Sequence, residues 1–541
     1  MKVLNRSKGP AVQCLRSQND KYDYNDAMRA LVLSAPNVTV VEAMVDHLII
    51  QDAVISGVIT QSGDEYHAPT VIVTTGTFLK GKVHVGMTNY AAGRLGEDSA
   101  DNLSDSLLKA GLRMGRLKTG TTPRLDANSI DYEQITVQPG DPEFLRFSFT
   151  TPYSTRYQNQ TDCYLTRTTI ETHDIILNSM DRSPLFQKVI QGSGPRYCPS
   201  IEDKIVRFKE KDHHQIFIEP ESLRTDEIYA QGLNTSLPED VQDLFLRSMP
   251  GLADVKILKF GYAVEYDFVY PDQLHPTLET RGIQGLFLAG QINGTSGYEE
   301  AAGQGIVAGI NAALKVQKRE PFILTREDSF IGTMIDDLIS KAIYEPYRML
   351  TSRSEYRLLL RQDNAIHRLG ERAYEAGLLS EQEISLIRDE NKALHDIQAY
   401  WKATSTSPQM VTEFGLNQKV PIATLLKRPE ASVEKLRQLE GFGEAPLDIM
   451  RKAAVPIKYD GYIQKQEKDI AKIKAYQDMV IPDYFDYDRL HGLKEESRLK
   501  FNEFRPKTIY DAQKIAGINP ADIMILISKL DSLSVAEQQR L

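Results

Sequence analysis

A reactive thiol is the most pointed chemistry in the sequence. Cys198 lies in the run QGSGPRYCPSIEDKIVRF, residues 191–208, with Arg196, Lys204 and Arg207 close by. Cationic neighbours or a helix N-terminus lower a thiol's pKa and raise its thiolate fraction, which makes it a nucleophile. Ser200-Ile201-Glu202-Asp203, ahead of a short apolar-periodic run, predicts a helix that starts just after the cysteine. The ordinary alternative is an inert core cysteine, against which the polar, basic setting argues. Cys163 stands in a strand-like setting and reads as structural. Cys14 has no evident partner.

A second constellation could hold an anion. Residues 285–313 read GLFLAGQINGTSGYEEAAGQGIVAGINAA. Leu286 to Ala289 read as a buried strand ended by Gly290, residues 291–297 as a loop of small and polar residues, and residues 298–313 as a helix. Ala301, Ala302, Gly305, Ala308, Gly309 and Ala312 make one small-residue face on it. Strand, glycine-containing loop and helix together aim backbone N–H groups at an anionic ligand, although an ordinary α/β unit has the same outline. A second strand ending in glycine is Val71-Ile72-Val73-Thr74-Thr75-Gly76. The following residues 76–82 have the spacing of a phosphate-binding P-loop, but Val83 stands where a Ser or Thr is needed and Val83-His84-Val85 alternates like a strand, so that motif is rejected.

Arginines make a third group. Arg353, Arg357 and Arg361 are spaced i, i+4, i+8, so a helix would stack them on one face. Tyr344, Tyr347 and Tyr356 are interleaved, and arginines with aromatics suit RNA phosphates and unstacked bases. A salt-bridged surface helix using Glu345 and Glu355 is the plainer alternative. Residues 114–124 form a basic connector in which Arg116, Lys118 and Arg124 either face phosphate or belong to a solvated linker. Glu265 and Asp267 are acid–base candidates, exposed strand carboxylates being the commoner case. His213 and His214 are adjacent, so on a strand they point to opposite faces. No clustered Cys/His pattern appears, and no catalytic metal is expected.

The frame that must position these groups is large. The chain has 541 residues, 41% hydrophobic and 26% charged, which implies three or four domains of ordinary globular composition. No apolar run approaches the ~20 residues of a membrane span, and the first residues carry no apolar signal region. Three scattered cysteines suit a reducing cytoplasm. A net charge of −10 argues against a general nucleic-acid coat but leaves room for a local basic groove. Residues 23–35 predict an amphipathic helix, residues 38–75 a strand meander, and the chain turns largely helical from about residue 322.

GLFLAGQINGTSGYEEAAGQGIVAG, GPRYCPSIEDK and EPYRMLTSRSEYRLLLRQDNA together resemble the MnmG (GidA) family, the FAD-binding large subunits of the bacterial tRNA wobble-uridine carboxymethylaminomethyl modification enzymes. The resemblance runs over essentially the whole chain. It implies an α/β, Rossmann-like flavin domain of glutathione-reductase type, an inserted α/β domain, and an all-helical C-terminal region. The division it suggests is residues 1–124 and 282–321 for the flavin domain, 125–281 for an inserted NAD-binding domain, 322–480 for a helical tRNA domain and 481–541 for a module docking a GTPase.

By the same resemblance, FAD contacts fall on Val45, Thr75, Gly76, Gly290, Gln291, Asn293 and Gly294. NAD(H) contacts fall on Gly194, Pro195, Arg196, Tyr197, Cys198, Pro199, Ser200, Ile201, Glu202, Asp203, Lys204, Ile205, Val206, Arg207 and Phe208, with Cys198 also the catalytic nucleophile. tRNA contacts fall on Arg348, Arg353, Arg357 and Arg361. Methylenetetrahydrofolate is the implied one-carbon donor. The implied partners are tRNA, a second copy in a homodimer and the GTPase subunit (MnmE), in the cytoplasm and without a membrane. The family places a G-x-G-x-x-G turn and a cysteine loop ahead of the segment resembling LNRSKGPAVQ. The sequence shows neither, which fits a fragment, a misassigned start or a true loss. Two other functions fit some of these features: a folate- and FAD-dependent tRNA uridine methyltransferase, and a non-catalytic chain that binds tRNA or the GTPase.

Overall fold

Apolar runs from distant parts of the chain meet in one central core. The structure is a computed structural model that describes all residues except 144, 153–159, 196–198, 342, 516–517 and 539–541. The central core draws on Ile55, Val73, Leu117, Tyr266, Phe287 and Met334. Within it the strands Val71–Val73 and Leu286–Leu288 pair in parallel, Val71 beside Leu286 and Val73 beside Leu288. Both are short apolar runs; Leu286–Leu288 is buried on both faces, as such a run suits, whereas Ile72 of its partner is exposed. The strand Lys82–Val85 belongs to a four-stranded antiparallel sheet with Thr88–Ala91, Ala263–Val269 and Met114–Gly120, so the P-loop spacing ahead of it opens no helix.

The helix Tyr298–Val316 follows the expected loop, but its buried face only partly coincides with the small-residue face. Ala308 and Ala312 turn inward together with Gly303, Gln304, Val307 and Asn311, while Ala302 is exposed. Two amides therefore sit in the contact, and both are hydrogen-bonded there, as burial of polar groups demands. The helix predicted at 23–35 forms as Lys21–Ser34 and buries none of its residues.

The inserted part carries a second core, with Leu125, Ile201, Ile205, Ile218, Phe245 and Leu246, under a six-stranded antiparallel sheet. Cys163 stands in its strand Cys163–Arg167, where burial pushes the thiol pKa up. The C-terminal region is helical. One of its cores is centred on Trp401, which stacks on Phe442 at 4.9 Å and donates to the Phe442 carbonyl. Another gathers Tyr487, Phe501 and Leu526 between Glu495–Phe504 and Pro520–Gln538. Among the described residues no helix is long and apolar enough to cross a membrane. The architecture is the expected one: α/β with an inserted unit, then helices.

Candidate functional site

Parallel strands end side by side, so the loops leaving Val71–Val73 and Leu286–Leu288 open onto one crevice, the place where open α/β sheets bind ligands. Gly76 has φ +57 and a Cβ there would meet nothing within 4 Å. Gly290 has φ +88 and Gly294 +80, left-handed values that favour glycine. Gln304, fully buried, organises the loop between them. Its Oε1 accepts from the Gly290 amide at 3.1 Å and from Asn293 Nδ2 at 2.9 Å, and its Nε2 donates to Thr295 Oγ1 at 3.1 Å. Gln291 donates to Tyr266 Oη at 3.1 Å.

Three side-chain oxygens here are buried without a partner among the described residues: Thr75 Oγ1, Asn293 Oδ1 and Ser296 Oγ. A buried polar group left unpaired costs about 1–3 kcal/mol, so three in one crevice mark a place built for polar atoms of a ligand. The N-terminus of Tyr298–Val316 is less available than the sequence suggested. Glu300 folds over it, its Oε2 lying 1.6 Å from where a Cβ on Gly297 would stand, so a protein carboxylate already answers the helix dipole. Val45 begins the strand Val45–Gln51 and packs against the central core.

Of the segment 194–208, Arg196, Tyr197 and Cys198 lie outside the described residues. Ser200 caps the helix Ile201–Arg207, as its position predicts, accepting from the Asp203 amide. Ile201, Glu202 and Ile205 are buried: helical spacing turns this face toward the second core. Gly194, Pro195, Pro199, Asp203, Lys204, Val206, Arg207 and Phe208 keep some exposure. Lys204 Nζ donates to the Gly232 carbonyl at 2.9 Å. Burial pushes the Glu202 carboxyl pKa up, with Lys118 pulling the other way. Lys118 is itself buried, and its Nζ lies 3.7 Å from a Cβ position on Gly194. The basic connector is thus neither linker nor phosphate face. Met114–Gly120 is a strand, Arg116 pairs with Asp267 at 2.7 Å, and Arg124 pairs with Glu221 at 2.6 Å. Glu265 and Asp267 are buried too, not exposed.

The arginine segment is not a helix. Thr351–Arg353 and Gln362–Asn364 are single helical turns, and turns connect them. Arg361 has a 4% exposed side chain and is closed in a fork with Asp363, which removes it from any RNA face. Arg353 lies over the Tyr347 ring at 4.4 Å. Tyr347 and Tyr356 are buried, and Tyr347 Oη donates to Asp337 at 2.9 Å. Asp337, 1% exposed, also meets Arg326 at 2.7 Å and Lys341. These cations hold its pKa down although burial opposes them. Tyr344 is exposed, Arg348 lies 3.6 Å from Glu300, and Arg357 is partly exposed. The segment touches the loop directly. The Tyr347 amide donates to the Gly294 carbonyl at 2.7 Å, beside a one-residue bridge of Thr295 with Tyr347, and the Met349 amide donates to Glu300 at 2.8 Å.

Sequence reasoning missed Gln304 and Glu300. A lone amide amid alanines and glycines was the available signal for Gln304. The same reasoning singled out Lys118 but not its burial, which nothing local marks because its neighbours come from residues 193–194 and 202.

Comparison with known proteins matches residues 1–320 to the profile described as glucose inhibited division protein A. Residues 381–467 match a tRNA modifying enzyme MnmG/GidA C-terminal helical domain, and residues 469–540 a C-terminal helical bundle of the same enzymes. A tRNA uridine 5-carboxymethylaminomethyl modification enzyme MnmG of Bacillus licheniformis is 47% identical over 99% of this chain and 87% of its own length. That of Exiguobacterium sibiricum is 48% identical over 97% and 85%. The structure of Aquifex aeolicus GidA superposes with a TM-score of 0.83 at 42% identity, covering 98% of this chain and 86% of its own.

Proposed function

Since the chain belongs to the GidA family, we propose that it is an FAD-dependent enzyme of tRNA wobble-uridine modification. In this reading it adds a (carboxymethyl)aminomethyl group to C5 of the uridine, using NADH and methylenetetrahydrofolate, with glycine or ammonium supplying the nitrogen. The observation that carries the cofactor is the crevice with unpartnered Thr75 Oγ1, Asn293 Oδ1 and Ser296 Oγ. A flavin ring and its ribityl chain present amide and hydroxyl groups of matching character. Thr75, Gly76, Gly290, Asn293 and Gly294 would hold it, with Val45 and Gln291 at its margins. When bound, FAD supplies the redox chemistry that delivers the one-carbon unit.

The chain's own part is nucleophilic and positional. C5 of uracil is a poor nucleophile until a thiolate adds at C6 and leaves an enolate. Cys198 takes that role. After C5 has bonded to carbon, it loses its proton and the thiolate leaves C6. The described residues of 194–208 that keep exposure hold NAD(H). Arg348, Arg357 and Tyr344 face tRNA, with Arg353 and Arg361 bracing them from behind. The domain division follows the same lines: flavin domain 1–124 with 282–321, inserted domain 125–281, tRNA-binding helices 322–480 and a GTPase-docking module 481–541. The MnmE-type GTPase, a homodimer and a cytoplasmic setting belong to this reading. The matched C-terminal helical domain and bundle favour it over the shorter folate-dependent methyltransferase.

The test is the visible spectrum of the purified chain after incubation with FAD and gel filtration. A flavin band that elutes with the protein, and that a Thr75→Val and Asn293→Ala double variant loses, is expected. No bound flavin in the parent overturns the enzyme reading for this chain. With flavin bound, Cys198→Ser is expected to abolish modification while leaving flavin content unchanged.

A further inference from the structure

Resting on that reading, we propose that Glu265 is the residue that positions the 194–208 segment for its nicotinamide dinucleotide, by clamping the chain just ahead of Gly194. Glu265 lies on the fully buried strand Ala263–Val269, where an ionised carboxylate is costly without close partners. Its nearest partners are not the arginine one would expect. Arg116 stays 3.8 Å away and has its own pairing with Asp267 at 2.7 Å. Glu265 Oε1 instead accepts two consecutive backbone amides, Gln191 and Gly192, both at 2.6 Å, and Oε2 pairs with His84 Nε2 at 3.2 Å.

Two further contacts fix the same spot. Gly192 lies so close to the neighbouring strand Met114–Gly120 that a Cβ would stand 2.7 Å from the Leu117 carbonyl carbon. Ser193 then forms a one-residue parallel bridge with Leu117, the Lys118 amide donating to its carbonyl at 3.0 Å. Eight residues on, the Ile201 amide donates to the Asn234 carbonyl at 2.8 Å and its side chain enters the second core. Residues 191–193 are thus anchored on the four-stranded sheet and Ile201 in the inserted core. Glu265 holds the first. A carboxylate oxygen that takes two successive amides dictates the orientation of that peptide, which a merely filling side chain would not.

The experiment is NADH titration, followed by nicotinamide fluorescence, of the full chain and of E265A, E265Q and G192A, with backbone hydrogen exchange on the same samples. E265A and G192A are each expected to weaken NADH binding tenfold or more and to speed exchange at residues 191–193. E265Q keeps an oxygen for both amides and is expected to stay within threefold of the parent. G192A pushes the segment off from the other side without touching the carboxylate, so the test stands if E265A does not fold. Parent-like NADH affinity in variants whose 191–193 amides exchange faster overturns the positioning role. So does loss of FAD binding with NADH binding kept. A parent that binds no NADH overturns the assignment of 194–208 itself, and this inference with it.

Discussion

The loop 290–297 and the segment 343–361 touch along one backbone bridge, yet their polar groups are in opposite condition. The loop keeps buried oxygens of Asn293 and Ser296 unpaired, on a scaffold that Gln304 holds in shape. In and beside the arginine segment charges are matched: Arg361 by Asp363, the neighbouring Asp337 by Arg326 and Lys341, and Glu355, one of whose oxygens is buried without a partner, by Arg326 through the other. A dense run of arginines is therefore not by itself a nucleic-acid surface, because tertiary carboxylates can claim it. Unmet demand inside a rigid frame is the better sign of a ligand.

That contrast can be broken most forcefully at Asp337. Replacing it with alanine removes the anion that Arg326 and Lys341 share; Arg326 keeps Asp336 and Glu355, so the loss should stay below the about 3–5 kcal/mol of a buried charge left with no partner. A melting temperature close to the parent's would show that the arginine segment does not depend on its pairing. Next is Gln304→Leu, which strands the Gly290 amide, while Asn293 keeps the Leu288 carbonyl and Thr295 the Gly290 carbonyl; one buried group left unmade costs about 1–3 kcal/mol. Denaturant unfolding reads the stability, and flavin content should fall with it.

Acid pH tests the pairing rule elsewhere in the helical region. Burial opposes ionisation of Glu390, but His367 and Lys452 hold its pKa down at about 2. A carboxylate depressed on folding stabilises the protein fully above its unfolded pKa. That contribution is lost as pH falls from about 4.5 to 2, by at most about 1.4 kcal/mol per pH unit. Glu390→Gln should flatten that part of the stability curve, and an unchanged curve would remove Glu390 from the account. The smallest effect is expected at Ser296→Ala. Removing a buried oxygen that has no partner should change stability by less than about 1 kcal/mol, while flavin affinity drops. A large destabilisation would mean that the oxygen is not waiting for a ligand.

How much of this could be read from the chain depends on how local the cause is. The strands Val71–Val73 and Leu286–Leu288 were legible, since each is a short apolar run with a glycine close behind. The helix after Ser200 was legible from its cap. The arginines at 353, 357 and 361 were misread as a helix because spacing records side chains and not partners, and Asp337 and Asp363 override it. Met114–Gly120 was read as a connector because its basic residues look solvated until Glu265 and Asp267, some 150 positions away, are placed opposite. The amides on the buried face of Tyr298–Val316 have the same origin: Gln304 and Asn311 are core residues because the loop and the Phe322 carbonyl take their hydrogen bonds.

The backbone bridge between Gly294–Thr295 and Tyr347 also ties two binding equilibria together. If an occupant of the crevice and a ligand of residues 343–361 both bind better when this bridge is closed, each must, by linkage, raise the affinity of the other by the same factor. Cofactor loading and RNA capture would then be reciprocal quantities, measurable from either end.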